Sequence, residues 1–327
     1  MIRTTLLAAG AAAAALTAPA AAAEMGTLNF GIISTESTQN LKKAWDPFLA
    51  DMQEKLGMEV KAFFAPDYAG IIQGMRFDKV DVAWFGNKSA MEAVDRAGGE
   101  VFAQTVDSDG NPGYWSLLIT QKDSPLESLD DVLENAAELN FGYGDPNSTS
   151  GYLVPSYYVF AKNGVDPAKA FKRVVNANHE TNALAVANGQ VDVATNNTEN
   201  LRRLENTHPD KAEKIKVIWQ SPLIPSDPIV WRKNLPEEVK AEVKEFFLTY
   251  GVEGENVEAE KQVLAGLQWA PFKESSDAQL IPIRQLELFR EKTKLENDRE
   301  MAAEEKRQRL AEIDAELDAL DKATATN

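Results

Sequence analysis

The 327-residue sequence predicts an α/β protein of two similar lobes, each a mainly parallel sheet flanked by helices. Three observations carry that expectation. Leu28-Asn29-Phe30-Gly31 recurs as Leu139-Asn140-Phe141-Gly142, an offset of 111. Val80-Asp81-Val82-Ala83 recurs as Val191-Asp192-Val193-Ala194 at the same offset, and Ser37-Thr38 falls on Ser148-Thr149. One offset shared by separate matches argues for a duplicated unit rather than for convergent strand patterns. Each copy reads strand, helix, strand, helix, strand, the order that builds a parallel sheet with crossover helices.

In chain order, residues 1–23 come first. They hold one basic residue, an Ala-rich apolar run and Ala21-Ala22-Ala23, an A-x-A cleavage pattern. The run is too short and too weakly apolar for a membrane span. Export to the periplasm with cleavage after Ala23 is therefore expected, leaving Glu24 as the first mature residue.

The first copy then runs LNFGII, a helix over STQNLKKAWDPFLADMQEKLG, the strand VKAFFAP, a helix at YAGIIQGMRF and the strand VDVAWFG. The second runs LNFGYG, STSGYLVPSYYVFAKNG, KRVVNA, TNALAVANG and VDVATNN. Pro47 and Pro155 lie inside the long helices, where a missing N–H predicts a kink or restart. Gly57 and Gly164 follow them as C-terminal stops.

Two connections are expected between the lobes. Tyr114 to Pro125 reads as an alternating strand leaving lobe 1, and Lys216 to Pro236 as the return. PEEVKAEVKEFFLTYG after it is an amphipathic helix with Pro near its start and Gly after its end. The expected boundaries are 24–115 with 222–295 for lobe 1, 116–221 for lobe 2, and 296–327 for a C-terminal helix. Leu310, Ile313, Leu317 and Leu320 step by three and four, an a/d stripe of about two heptads. It suits packing on its own lobe or the seam of a homodimer.

The formal charge of −17 argues against nucleic-acid backbones as partners. No cysteine exists, which excludes disulfides, thiolate metal sites, cysteine nucleophiles and a thiol-linked lipid anchor. The two histidines, His179 and His208, form no H-E-x-x-H pair, and neither a P-loop nor a nucleophile elbow occurs. No cofactor, metal or catalytic residue is expected.

Open α/β sheets place ligands beyond the carboxyl ends of their strands. By the repeat, those ends are Ser34 to Thr38, Tyr68 and Trp84 to Asn87 in one lobe. In the other they are Asp145 to Ser150, His179 and Thr195 to Glu199. The turn Ser34 to Asn40 and the stretch GDPNSTSG, Gly144 to Gly151, should then oppose each other across a cleft. A helix starting near Ser148 offers free N–H groups, a positive dipole end and three hydroxyls, at Ser148, Thr149 and Ser150. An ordinary N-cap explains the same residues without a ligand. Glu199 and Asp227 suit an ammonium rather than an anion, or else are surface or capping acids. Tyr68, Tyr114 and His179 are either site residues or locally satisfied packing.

Several of these strings, among them FFAPDYAGIIQGM, PGYWS, GDPNSTSG, HETNALAVAN, VDVATNNTEN and SPLIPSDPIVWRKNLP, resemble the periplasmic phosphonate-binding proteins. Those are the substrate-binding components of phosphonate ABC importers. The resemblance runs from about Leu28 to the region of Phe289. It implies a type II periplasmic binding fold, with two α/β lobes joined by two crossover strands, closing on a ligand delivered to a permease at the inner membrane. It implies 2-aminoethylphosphonate as the preferred ligand. It assigns Ser148, Thr149, Ser150, Tyr68, Tyr114 and His179 to the phosphonate oxygens, and Glu199 and Asp227 to the amino group. The alternatives are a binding protein for phosphite or another small anion, and an exported hydrolase of phosphoesters or phosphonates.

Overall fold

The computed structural model describes residues 25–298 and 301–326; the expected export leader and its expected cleavage after Ala23 lie outside the described residues. The first repeat forms β1 (Thr27–Ile32), α1 (Thr38–Leu56), β2 (Glu59–Phe64), α2 (Tyr68–Arg76) and β3 (Val82–Trp84), followed by α3 (Asn87–Arg96) and β4 (Gly99–Asp107). The chain crosses through β5 (Gly113–Tyr114) into β6 (Ser116–Gln121), then α4 (Leu129–Glu134) and β7 (Asn140–Tyr143). Two wide π-helical turns, Thr149–Leu153 and Ser156–Phe160, lead to β8 (Arg173–Asn176), α5 (His179–Ala187), β9 (Val193–Asn197), α6 (Thr198–Thr207) and β10 (Ile215–Gln220). The return runs through β11 (Ile224–Pro225) into β12 (Pro228–Arg232), α7 (Glu237–Thr249), α8 (Val257–Gly266), β13 (Trp269–Glu274), α9 (Ile281–Asn297) and α10 (Ala303–Thr326).

The strand orders are β13-β4-β12-β3-β1-β2 and β10-β6-β9-β7-β8. Within each, the repeat supplies a parallel trio, β2-β1-β3 or β8-β7-β9. The strand beside each trio is antiparallel to it, β12 in one lobe and β6 in the other. Each is the strand that arrives straight after a crossing, so it enters its sheet from the cleft side and runs backwards. The sheets are therefore mixed at these positions. β6 is also buried on both faces instead of alternating, because β9 and β10 flank it and helices cover it. The crossings themselves pair as a two-stranded ribbon, β5 with β11.

The duplicated motifs have a shared physical job. Asp81 Oδ2 accepts the Asn29 N–H (2.7 Å) and side-chain amide (3.2 Å), tying β3's entry to β1. Asp192 Oδ2 accepts the same pair from Asn140 at 2.7 and 2.9 Å. LNFG and VDVA recur together because the Asn of one needs the Asp of the other. Lobe 1 packs α1 and α7 on its sheet through a ring cluster of Phe30, Trp45, Phe48 and Phe247. Lobe 2 has a smaller one of Phe141, Phe160 and Phe171.

The two prolines act differently. α1 runs unbroken through Pro47, which sits on its solvent face, where solvent rather than core packing meets the ring. Pro155 interrupts its helix. The Gly151 carbonyl it leaves free accepts the Gly144 N–H (3.0 Å) and the Thr195 hydroxyl (2.8 Å), and Leu153 N–H reaches back to Ser148 O (3.1 Å). Pro155 thereby ties the polar loop to strand β9. Gly57 and Gly164 both adopt the left-handed conformation that ends these segments. At the C-terminus, Ile313 and Leu317 of α10 pack with Leu295 of α9 in the same chain, with Leu310 at the margin. Arg309 to Glu291 and Lys292 to Asp314 flank the seam.

Candidate functional site

The loop after β7 forms a cradle of three hydroxyls, each 2% exposed. Ser148 caps the π turn, its Oγ accepting the Gly151 N–H at 2.9 Å. Thr149 Oγ1 accepts the Lys88 N–H of lobe 1 at 2.8 Å, and Ser150 Oγ accepts from the Asn197 amide at 3.0 Å. Each oxygen thus has an N–H pointing into a lone pair, which leaves its own hydrogen to donate. Three oriented O–H donors at a helix start are what a tetrahedral anion needs.

Tyr68 opens α2 and Tyr114 ends the first crossing, both almost fully buried. Burial first, then the charge of Asp145, holds the Tyr68 phenol far above its ordinary range, so it stays protonated beside Ser148. His179 opens α5. Burial, then the positive charge of Arg203, lowers its pKa to about 3, so the imidazole is neutral. Its Nε2 lies 3.4 Å from Ser148 Oγ, 3.5 Å from Ser150 Oγ and 3.3 Å from the Asn197 amide nitrogen. His179 Nδ1 and Thr35 Oγ1 are buried with no protein hydrogen-bond partner.

Across from the cradle sit two buried carboxylates. Asp227 Oδ1 accepts the Tyr114 hydroxyl (3.0 Å), and Oδ2 accepts the Trp84 indole N–H (3.2 Å). Burial, then the charge of Glu199, pushes the Asp227 carboxyl well above the usual range. Glu199 is raised by burial too, opposed in part by Arg203. Among the described residues Arg203 is the one cation in the wall, and its guanidinium is paired with Glu36 across the lobes. Gly86 separates the two ends. A Cβ there would lie 3.2 Å from Thr149 Oγ1 and 3.9 Å from Asp227 Oδ1.

All eight residues singled out in the sequence line this one cavity: Tyr68, Tyr114, Ser148, Thr149, Ser150, His179, Glu199 and Asp227. Only about 10 Å³ of it is open to the centre of a water molecule, so the lining residues stand close together. Of the turn Ser34 to Asn40, expected to face the cradle, only Thr35 reaches the cavity. Arg203 was not foreseen. Its signal is spacing, since it stands four residues after Glu199 and so shares its face of α6. Among the described residues no cluster of metal-ligating side chains occurs.

Comparison with known proteins shows the family of the chain. A family model described as the periplasmic substrate-binding protein of phosphonate ABC transporters matches residues 30–280. A phosphonates-binding periplasmic protein of Escherichia coli K12 is 62% identical over 308 residues, spanning 94% of this chain and 90% of that protein. The crystal structure of a phosphonate ABC transporter binding component from Pseudomonas aeruginosa matches with a TM-score of 0.89 at 64% identity, covering 92% of this chain and 98% of that one. A Prochlorococcus marinus protein in complex with methylphosphonate shares the fold at a TM-score of 0.70 and 22% identity, over 80% and 97% of the two chains. The two structures share the two-lobed type II periplasmic binding fold, and the Pseudomonas protein is the binding component of a transporter rather than an enzyme. The duplicated lobes, the shared cleft and these matches together place the chain in the family of periplasmic substrate-binding proteins that serve phosphonate ABC transporters.

Proposed function

We propose that the cleft prefers a zwitterionic phosphonate, 2-aminoethylphosphonate above alkylphosphonates without an amine, and presents it to the permease at the inner membrane. One observation carries this reading: a cradle of oriented hydroxyl donors faces two buried carboxylates whose charge Arg203 offsets only in part. Arg203, the wall's cation, is already matched by Glu36. The phosphonate oxygens would take the hydrogens of Ser148, Thr149, Ser150 and Tyr68, with His179 as a neutral partner. The ammonium would sit between Glu199 and Asp227. Tyr114, which donates to Asp227, links the ends.

A ligand without an amine leaves the two acids buried and unpaired, a penalty of roughly 2–5 kcal/mol. Calorimetry on the purified protein is expected to show 2-aminoethylphosphonate binding at least tenfold more tightly than methylphosphonate or phosphate. Equal affinities for all three would refute the amine assignment, and tightest binding of phosphite would favour a simple anion carrier. In the same reading the leader is cleaved after Ala23.

A homodimer through the C-terminal helix would reuse the seam already present. α10 packs chiefly on α9, so two copies could exchange it at little cost. Light scattering on the full chain, compared with one ended at Lys294, should then show the dimer only in the full chain. The same association state for both rules the exchange out.

A further inference from the structure

The turn at the start of α1 is the 111-residue counterpart of the hydroxyl cradle. Ser37 Oγ accepts the Asn40 N–H (3.3 Å), as Ser148 Oγ accepts the Gly151 N–H, the two pairs lying 111 apart at both ends. Yet this turn is occupied from within the chain. It holds the carboxylate of Glu180, which belongs to lobe 2. The Ser37 N–H donates to Glu180 Oε2 at 2.6 Å, and the Asn40 side-chain amide donates to Oε1. Glu180 N–H donates back to the Thr35 carbonyl at 3.3 Å. Glu180 is buried, and the neighbouring Glu36 is neutralised by Arg203.

We propose that Glu180 is a closure latch, an internal anion that docks into the lobe 1 counterpart of the phosphonate cradle when the lobes shut. The start of a 19-residue helix favours a negative charge through its free N–H groups and dipole. Both carboxylate oxygens are engaged, so the contact fixes an angle as well as a distance. Two weaker contacts repeat the pattern. The Tyr68 N–H at the start of α2 donates to Asp145 Oδ2 (3.2 Å), and the Lys88 N–H at the start of α3 donates to Thr149 Oγ1 (2.8 Å). Lobe 2 therefore presents an oxygen to each of three helix starts in lobe 1. Glu180 also adjoins His179 in the first turn of α5, so seating the latch positions a residue of the ligand cavity.

The chain has no cysteine, so Lys43→Cys and Lys172→Cys, both at exposed positions on opposite lobes, give a clean pair of spin labels. With 2-aminoethylphosphonate present, Glu180→Ala is expected to lengthen and broaden the interlobe distance and to weaken binding at least tenfold. The ligand-free Glu180→Ala chain should keep the native circular-dichroism spectrum, because the latch acts between lobes and not within one. Glu180→Gln, which keeps one acceptor, should fall between, and formate should restore part of the affinity of Glu180→Ala. Native affinity and native distances in Glu180→Ala would overturn the latch, as would lost affinity with unchanged distances. The latch rests on the cleft being the phosphonate site. If the native chain binds no phosphonate, that reading fails by itself, and ligand-free distances that are identical in native and Glu180→Ala chains overturn the latch.

Discussion

Asp227→Asn and Glu199→Gln are each expected to weaken 2-aminoethylphosphonate binding by about two to three orders of magnitude. Methylphosphonate affinity should be unchanged or improved. Each substitution removes a charge and keeps the shape, so the amide oxygen introduced by Asp227→Asn can still accept from the Tyr114 hydroxyl. What disappears is the field that an ammonium would neutralise. Burial lifts both carboxyls, and the charge of Glu199 lifts Asp227 further. Removing either acid relieves that repulsion.

The sign with pH follows from the same shifts. An ammonium favours the ionised acids, so binding releases protons, and affinity for the amine ligand rises with pH through these raised pKa values. It falls as pH drops below them. Folding responds oppositely in the ligand-free protein. A carboxyl raised in the folded state adds stability below the ordinary acid range, and that contribution is lost as pH rises through the raised value. Asp227→Asn should remove part of this slope. Calorimetry in buffers of different ionisation enthalpy reads the released protons, and an amine preference that survives both substitutions would refute the acid assignment.

Gly144→Ala is the second change with a large expected effect. Gly144 begins the polar loop, its N–H donating to the Gly151 carbonyl. A Cβ at Gly144 would overlap the backbone of Gly151, which no rotamer change can relieve. The loop must therefore move away, and Ser148, Thr149 and Ser150 move with it. We expect about 1–3 kcal/mol less stability from overpacking and at least a hundredfold loss in phosphonate affinity. Denaturant melts and calorimetry measure the two separately. Native affinity in a folded Gly144→Ala chain would show that the cradle's position is not what binds the ligand.

The duplicated α/β unit was legible because short-range chemistry repeats with it. The Asn29 to Asp81 and Asn140 to Asp192 pairs need the same residues at the same spacing in each lobe, so they leave a periodic trace in the sequence. Strand ends were legible for the same reason, and they brought Tyr68, His179 and the cradle into view. β12 and β6 were harder. Each is an ordinary apolar run, and its antiparallel entry depends on where the crossing delivers the chain. The role of Arg203 was hidden because a helical Arg four residues after a Glu usually marks a solvated pair. Here the other lobe buries it against Glu36.

The symmetry misled at one place. By sequence, the turn Ser34 to Asn40 mirrors the cradle and should share its ligand. In the fold Ser37 does cap its helix as Ser148 does, but Glu180 of the opposite lobe fills the space in front of it. The sequence by itself determined that there are two lobes, where the repeated strands end, and which side chains wait at those ends, since propensity, capping and strand pairing within a repeat are local. Only the tertiary structure decided which helix start stays open to a ligand and which is closed by a carboxylate, because that depends on contacts between lobes more than a hundred residues apart.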